Sequence, residues 1–351
     1  LSQAMAEDFG HRSVDQSNLT DIAGSIGALK FSKKHMRKWM RPEKRGVEFP
    51  LGILGSKAQI QYQPKGSIGI ISPWKFHVNL TFAPLANVFA AGNRAMIKPS
   101  EFTEKTSELM AELIAKYYTE EEVAVVTGGP DVGASFTQLP FDHIVFTGAT
   151  SIVHHVLRAA ADTLVPLTLE LGGKSPVVLG TAAGVQKAAS RIMAGKTLNA
   201  GQICLAPDYA FVPEEKTGEF VGAAQAAVGK MFADGLKDND DYTSIVNQRH
   251  YDRLNSYLDD AREKGAEVIE INPQNENFSQ QPHHKMAPHI VLNPTDDMKV
   301  MQDEIFGPIL PLKSYNETKD AVAYINDNPR PLGLYYFGDD ANEREMVLNN
   351  T

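Results

Sequence analysis

"GSIGIISPWKFHVNL", residues 66–80, is the stretch on which the fold turns. Its first part, "GSIGIIS", is a short apolar, β-branched run of the kind that builds a strand buried on both faces of a parallel sheet. An apolar helix follows, from about Leu80 to Ala91, and Gly92 closes it. The alternation then repeats. The strand "AMIKPS" leads into an amphipathic helix from Thr103 to Tyr117, with Leu109, Leu113 and Ile114 on its apolar face. "EVAVVTGG" and "HIVFTG" read as strands, Ile152, Val156, Ala160 and Leu164 mark the next helix, and "PLTLELGG" and "SPVVLG" are strands again. Strands alternating with helices in this way predict right-handed βαβ units, and hence an α/β fold with a doubly wound parallel sheet. Such sheets bind ligands at the carboxyl ends of their strands.

Working outward, residues 1–45 read as polar and helical, ending in the basic cluster "KKHMRKWMRPEKR", a solvated helix face. "AQIQYQP" alternates as a strand should. Beyond about residue 177 a second α/β series is predicted, with helices at 183–198, 214–232, 250–264 and 316–327 and strands at 266–271, 287–293, 309–315 and 333–338. Asn316 is placed as the N-cap of the last helix and Gly265 as the stop of the third. The pattern changes near "LELGGKSP", which divides the chain into a cofactor-type domain over 1–173 and a second α/β domain over 174–351.

The 351 residues suffice for two cores, and 42% hydrophobic with 22% charged content is ordinary for a globular protein. A net charge of -9 argues against nucleic acid or an anionic membrane surface as partner. Cys204 is the only cysteine, so a disulfide scaffold is excluded. No apolar run approaches the roughly 20 residues that span a bilayer. The start, "LSQAMAEDFGHRS", shows no basic and apolar leader pattern, which makes the cytoplasm the expected compartment. It also lacks an initiator Met and reads as the interior of a longer gene product.

Functional residue types gather where strands end. Trp74 and Lys75 follow the first buried strand, and Lys98, Ser100 and Glu101 follow the next. Gly148 and Ala149 enter a helix, where free N–H groups and the helix dipole favour a phosphate. Glu170 stands between two leucines, and a carboxylate in an apolar run tends toward the raised pKa that suits a general base. Cys204 lies in "LNAGQICLAPDY", residues 198–209, where it is either a small buried hydrophobe or a nucleophile. Each feature has a plain structural alternative: a core tryptophan, a helix cap, an ordinary turn, a solvated carboxylate. Together with the lone thiol they favour a site. His154–His155 and His283–His284 lack further ligands at metal-binding spacing, so no metal is expected, and no G-x-S-x-G nucleophile elbow occurs.

The motifs "LELGGKSP" (169–176), "NAGQIC" (199–204), "KPSE" (98–101), "FTGAT" (146–150) and "EIFGP" (304–308) resemble the aldehyde dehydrogenase superfamily, in family order over nearly the whole chain. The wording of "DFGHRS", "APDY" and "NPTDDMKVMQDEIFGPILP" is most similar to its coniferyl-aldehyde and fatty-aldehyde branch. The resemblance implies a Rossmann-like cofactor domain with a catalytic domain, and oxidation of an aldehyde to its acid with NAD, NADP also being accepted. It makes Cys204 the nucleophile that forms a thiohemiacetal and then a thioester, and Glu170 the base that activates the hydrolytic water. A base at that position favours hydrolysis over acyl transfer to coenzyme A. Lys98 and Glu101 are implied to hold the adenosine ribose, Gly148 and Ala149 to approach the pyrophosphate, and Glu304 to bind the nicotinamide ribose with Phe306 beside the ring. Ser72, Pro73, Trp74, Ser100, Leu171 and Gly172 complete the implied cofactor set. Asn199 is implied to be structural, and full-length members to be homodimers.

Four departures stand out. Lys75 replaces the asparagine that the family uses as an oxyanion donor, a loss that costs about 2.7–4 kcal/mol where such a donor is removed. Its ammonium can stabilise the oxyanion and the thiolate, pair with Glu170, or turn away. Val153 stands where the family has glycine in a phosphate-facing helix, and Ile203 where it has threonine before the nucleophile. The chain also stops at Thr351, ahead of where the family pattern ends. These departures motivate a second reading, a catalytically weak cofactor-binding remnant or interaction protein on the same scaffold.

Overall fold

The computed structural model describes residues 1–351. Its strands are β1 (Glu43–Arg45), β2 (Ala58–Ile60), β3 (Ser67–Ile71), β4 (Arg94–Lys98), β5 (Val123–Val125), β6 (His143–Thr147), β7 (Leu167–Glu170), β8 (Pro176–Leu179), β9 (Tyr209–Pro213), β10 (Glu267–Glu270), β11 (His289–Leu292), β12 (Ile309–Tyr315) and β13 (Tyr335–Phe337). The chain divides into two compact units, one of Leu1 with Ser17–Glu170 and one of Ser2–Gln16 with Leu171–Thr351.

In the first unit five strands pair in the order β5-β4-β3-β6-β7, all parallel. The first strand in sequence, β3, is central, and the chain winds outward from it in both directions, as in a doubly wound sheet. Helices Asn79–Ala90, Glu104–Tyr117, Pro130–Thr137 and Thr150–Thr163 make the crossovers. Ile68, Ile70, Ile97 and Ile144 are buried to 4% exposure or less, each burial being worth roughly 1.5–3 kcal/mol. The helix Pro130–Thr137 escaped the sequence reading; its signal is Pro130 in the first turn, after Gly129.

Details of the predicted faces change. On Glu104–Tyr117 the buried stripe is Thr106, Met110 and Ile114, while Leu109 and Leu113 are only half-buried. On Thr150–Thr163 it is Val153, Val156 and Ala160; Ile152 and Leu164 are exposed, and Leu164 ends the helix in a left-handed conformation. The segment 1–45 is broken into several helices, and the basic side chains of Gly24–Trp39 face solvent. "AQIQYQP" supplies only β2, which pairs antiparallel with β1 in an exposed ribbon.

The second unit holds a six-stranded sheet, β10-β11-β12-β9-β8-β13, parallel except for the edge strand β10. Its helices include Val185–Thr197, Thr217–Met231, Gln248–Glu263 and Thr318–Asp327. Gly265 follows Gln248–Glu263 with φ +87, but the last of these helices is capped by Glu317 rather than Asn316, and no side chain bonds its free N–H groups. Where the sequence suggested one N-terminal domain over 1–173, the structure groups Ser2–Gln16 with the second unit. The physical reason lies in Arg12 and Gln16, whose side chains bond Asn199.

Candidate active site

In the first unit the carboxyl ends of β3 and β4 are tied together: Ser72 N–H donates to the Lys98 carbonyl at 3.0 Å. The turn after β3 carries Ser72, Pro73, Trp74 and Lys75. It is held from inside the unit, since Thr81 Oγ1 donates to Ser72 Oγ (2.7 Å) and the Asp21 carboxylate accepts the Val78 and Asn79 N–H groups (3.1 and 3.2 Å). Phe76 takes a positive φ of 42°, and His77 Nδ1 bonds the Trp74 carbonyl at 2.8 Å. Lys75 is buried at 5% exposure; Trp74 is half-buried.

Beyond β4, Lys98 is buried, its Nζ donating to the Pro99 carbonyl (2.9 Å) and to Glu101 Oε2 (3.4 Å). A cleft of about 220 Å³ opens there, bounded by Ser100, Glu101 and Glu104 on one side and Thr127–Gly129 on the other. The "TGG" after β5 is the lining that sequence reasoning missed; its signal was a pair of glycines at a strand end. Gly148 N–H donates to the Glu170 carbonyl at 3.0 Å, and a Cβ at Gly148 would strike the Phe146 ring at 2.6 Å. That glycine is therefore required by its own strand. Ala149 caps the helix Thr150–Thr163, and Val153 is buried in its first turn. Glu170 ends β7 at the sheet edge and is exposed, so the apolar enclosure expected from its leucine neighbours is absent.

In the second unit the loop before Cys204 is locked. Asn199 (φ 50°), Ala200 (φ 50°) and Gly201 (φ 72°) are consecutive left-handed residues, all buried. A side chain at Gly201 would meet the Gly307 carbonyl carbon at 2.7 Å and the Lys196 carbonyl oxygen at 3.0 Å. Gln202 closes the turn: its N–H donates to the Asn199 carbonyl (3.0 Å), while its side-chain amide donates to the Asn199 and Ser244 carbonyls and accepts from Val246 N–H, each at 2.9 Å. Ile203 and Cys204 emerge half-buried, and Tyr335 Oη donates to the carbonyl of Leu205.

Glu304 is held by a cross-chain staple. Lys174 Nζ donates to Asp208 Oδ1 (2.5 Å) and to the carbonyls of Val300 (2.7 Å) and Asp303 (2.9 Å). Asp208 Oδ2 accepts Ile305 N–H at 2.9 Å. Both neighbours of Glu304 are thus pinned to the segment that follows Cys204. The Glu304 carboxyl group lies against the bare Cα of Gly172, where a built Cβ would stand 2.6 Å from Cδ. Leu171 and Gly172 are half-buried, and Phe306 has a φ of 50°. Lys196, 1% exposed, has no hydrogen-bond partner for Nζ; burial pulls its pKa down to about 8, against the pull of Asp208 and Glu304 and with the push of Lys174. Lys174, Asp208 and Lys196 are residues the sequence reading did not single out.

His154 and His155 are exposed, whereas His283 and His284 are half-buried. No group of three or more His, Cys, Asp or Glu side chains is arranged to hold a metal ion, and no helix is long and apolar enough to cross a membrane.

The aldehyde dehydrogenase family profile matches residues 1–351. The chain is 60% identical to the probable coniferyl aldehyde dehydrogenase of Caulobacter vibrioides, over all of this chain and 72% of that protein. It is 51% identical to the coniferyl aldehyde dehydrogenase of a Pseudomonas species, with the same coverage. Among solved structures, the substrate-bound AldH of Staphylococcus aureus superposes with a TM-score of 0.91 at 34% identity, over 99% of this chain and 73% of that one. The inactive-remnant reading draws no support from these relatives. The chain belongs to the aldehyde dehydrogenase family, whose members oxidise aldehydes to carboxylic acids with NAD(P).

Proposed function

We propose that this protein oxidises coniferyl aldehyde to the corresponding acid, with NAD as its preferred cofactor. The observation that carries the reading is the locked left-handed turn that presents Cys204, the chain's one thiol, on a loop stapled to that of Glu304. The substrate assignment draws on the two relatives that bear that name and match over the whole chain.

The residues present fit a dinucleotide. The cleft beside β4 and β5 offers Ser100 and the half-exposed carboxylate of Glu101 to a ribose, and the carboxylate disfavours the extra phosphate of NADP. Gly148 and Ala149 stand at a helix N-terminus that suits a pyrophosphate. Glu304, with Phe306 two residues on, is aimed by the Lys174–Asp208 staple. Ser72, Pro73, Trp74, Leu171 and Gly172 line the remaining cofactor contacts in this reading. When bound, the cofactor supplies the hydride acceptor that converts a thiohemiacetal into a thioester.

The chain's own residues do the rest. Cys204 Sγ attacks the aldehyde carbon, and this reading assigns to the Lys75 ammonium the oxyanion-donor role of the family's neutral amide. An ammonium stabilises that negative charge more strongly than an amide does. Glu170, solvent-exposed, takes a proton from water as it attacks the thioester carbon, releasing the acid and the thiolate. The exposed apolar residues Phe49, Ile53 and Leu54 next to the β1–β2 ribbon support association of two copies.

The test is steady-state and burst kinetics with coniferyl aldehyde and either cofactor. Cys204→Ser is expected to abolish turnover. Glu170→Gln is expected to give a burst of reduced cofactor stoichiometric with enzyme, followed by slow release. Full steady-state turnover by Cys204→Ser would overturn the mechanism, and no turnover of coniferyl aldehyde beside good turnover of aliphatic aldehydes would overturn the substrate.

A further inference from the structure

The turn that precedes Cys204 is held from far away in the sequence. Arg12 Nε and Gln16 Nε2 both donate to Asn199 Oδ1, at 3.2 and 3.0 Å, and Gln16 Oε1 accepts the Asn199 N–H at 2.9 Å. Asn199 Nδ2 donates in turn to the Gln202 carbonyl at 3.0 Å. Every polar atom of the Asn199 side chain and its backbone N–H is thereby used inside a site where Asn199 and Ala200 are 0% exposed. Arg12 is itself 1% exposed, resting over the Phe9 ring and donating to Met5 Sδ.

This arrangement has a physical purpose. A non-glycine residue in the left-handed region is strained and persists only where its surroundings over-determine it. Two such residues in succession, four and five positions before the thiol, stay put because the N-terminal segment saturates Asn199. Nothing in "DFGHRSVDQ" read as sequence pointed there, since the pairing spans more than 180 positions.

We propose that Arg12 and Gln16 are positioning residues for the nucleophile: the N-terminal segment latches the left-handed turn at Asn199 and so sets where Cys204 stands. This rests on the reading of Cys204 as nucleophile. It extends that reading to a segment, "DFGHRSVDQ", to which the family resemblance assigned no part in the chemistry.

Because the chain has a single cysteine, alkylation by iodoacetamide reports on Cys204 alone, independently of catalysis. Gln16→Leu removes both Gln16 bonds to Asn199 at similar side-chain size. It is expected to lower kcat with coniferyl aldehyde about tenfold, the loss of roughly one net hydrogen bond's worth of placement, and to leave the KM for NAD unchanged. Alkylation should speed up, because a half-buried thiol gains exposure when its turn is released. In an Asn199→Gly background, where glycine adopts the turn without the latch, Gln16→Leu should cost little more. Unchanged kcat and unchanged alkylation in Gln16→Leu, with only a lower melting temperature, would overturn the proposal and leave a plain structural brace. Should Gln16→Leu not fold, Asn199→Gly and Asn199→Ala decide: both lose the side-chain bonds, and the latch requires glycine to retain clearly more turnover. Equal loss overturns it. A fully active Cys204→Ser would instead strike the nucleophile reading, and the alkylation rates would still decide whether the latch places the thiol.

Discussion

Gly172→Ala separates cofactor binding from stability at one position. Gly172 has no positive φ, so alanine is compatible with its backbone, and the strain of the substitution falls on the contact with Glu304 rather than on the main chain. The added methyl would stand 2.6 Å from Glu304 Cδ. Carbon atoms in contact settle about 3.5–4.0 Å apart, so the carboxyl group must retreat by roughly 1 Å. Its neighbours cannot follow, because Asp303 and Ile305 are fixed by Lys174 and Asp208. If Glu304 holds the nicotinamide ribose, the shift breaks a hydrogen bond to a charged group, worth about 1.5–3 kcal/mol. That corresponds to a roughly 10- to 150-fold rise in the KM for NAD. The assay is initial-rate formation of reduced cofactor at saturating aldehyde, alongside a thermal melt. Pairing Gly172→Ala with Glu304→Asp, which shortens the side chain by one methylene, should recover part of the loss. An unchanged KM for NAD in a fully stable Gly172→Ala protein would refute the assignment of Glu304.

Other expected outcomes follow from the same geometry. Lys75→Met should lower kcat about 10²- to 10³-fold, as for loss of an oxyanion donor, whereas Lys75→Asn should retain most of the rate; equal activity of Lys75→Met and the parent would remove Lys75 from the chemistry. Glu101→Gln should raise the KM for NAD and lower that for NADP, and parallel changes for both cofactors in kinetic assays would contradict its ribose role. Lys196 is pulled down to about 8 by burial, so the unfolded chain binds the extra proton between there and the ordinary lysine value of 10.5. Stability therefore rises with pH across that window, and below it the buried charge costs roughly 3 kcal/mol. Lys196→Met should stabilise the protein at neutral pH and flatten that rise in denaturant melts; a steeper rise would show that the ammonium is stabilising.

How much was legible follows from which interactions are local. The parallel sheet of the first unit was readable because apolar, β-branched runs at 67–71 and 143–147 and an apolar helix between them bury themselves by pattern alone. Strand-end residues such as Lys98, Glu101 and Gly148 were readable for the same reason, since the end of a strand is a position in sequence. Glu170 shows the limit. Its leucine neighbours implied enclosure, yet β7 lies at the sheet edge and the carboxylate is exposed, because strand order is decided by pairing partners and not by the strand itself. Leu109 and Ile152 erred likewise: helical periodicity identifies a face, but the neighbouring element decides which flank of it is covered.

By itself, then, the sequence determined the α/β alternation, the strand ends where residues of functional type gather and the identity of the lone thiol, all of which depend on residues close along the chain. Only the tertiary structure decided that Lys174 and Asp208 pin the loop of Glu304, that Gly172 makes room for its carboxyl group, and that Arg12 and Gln16 hold the turn before Cys204. Those contacts join residues from 34 to more than 180 positions apart. Hydrogen bonds and excluded volume act through space, and no local pattern records which distant group they will meet.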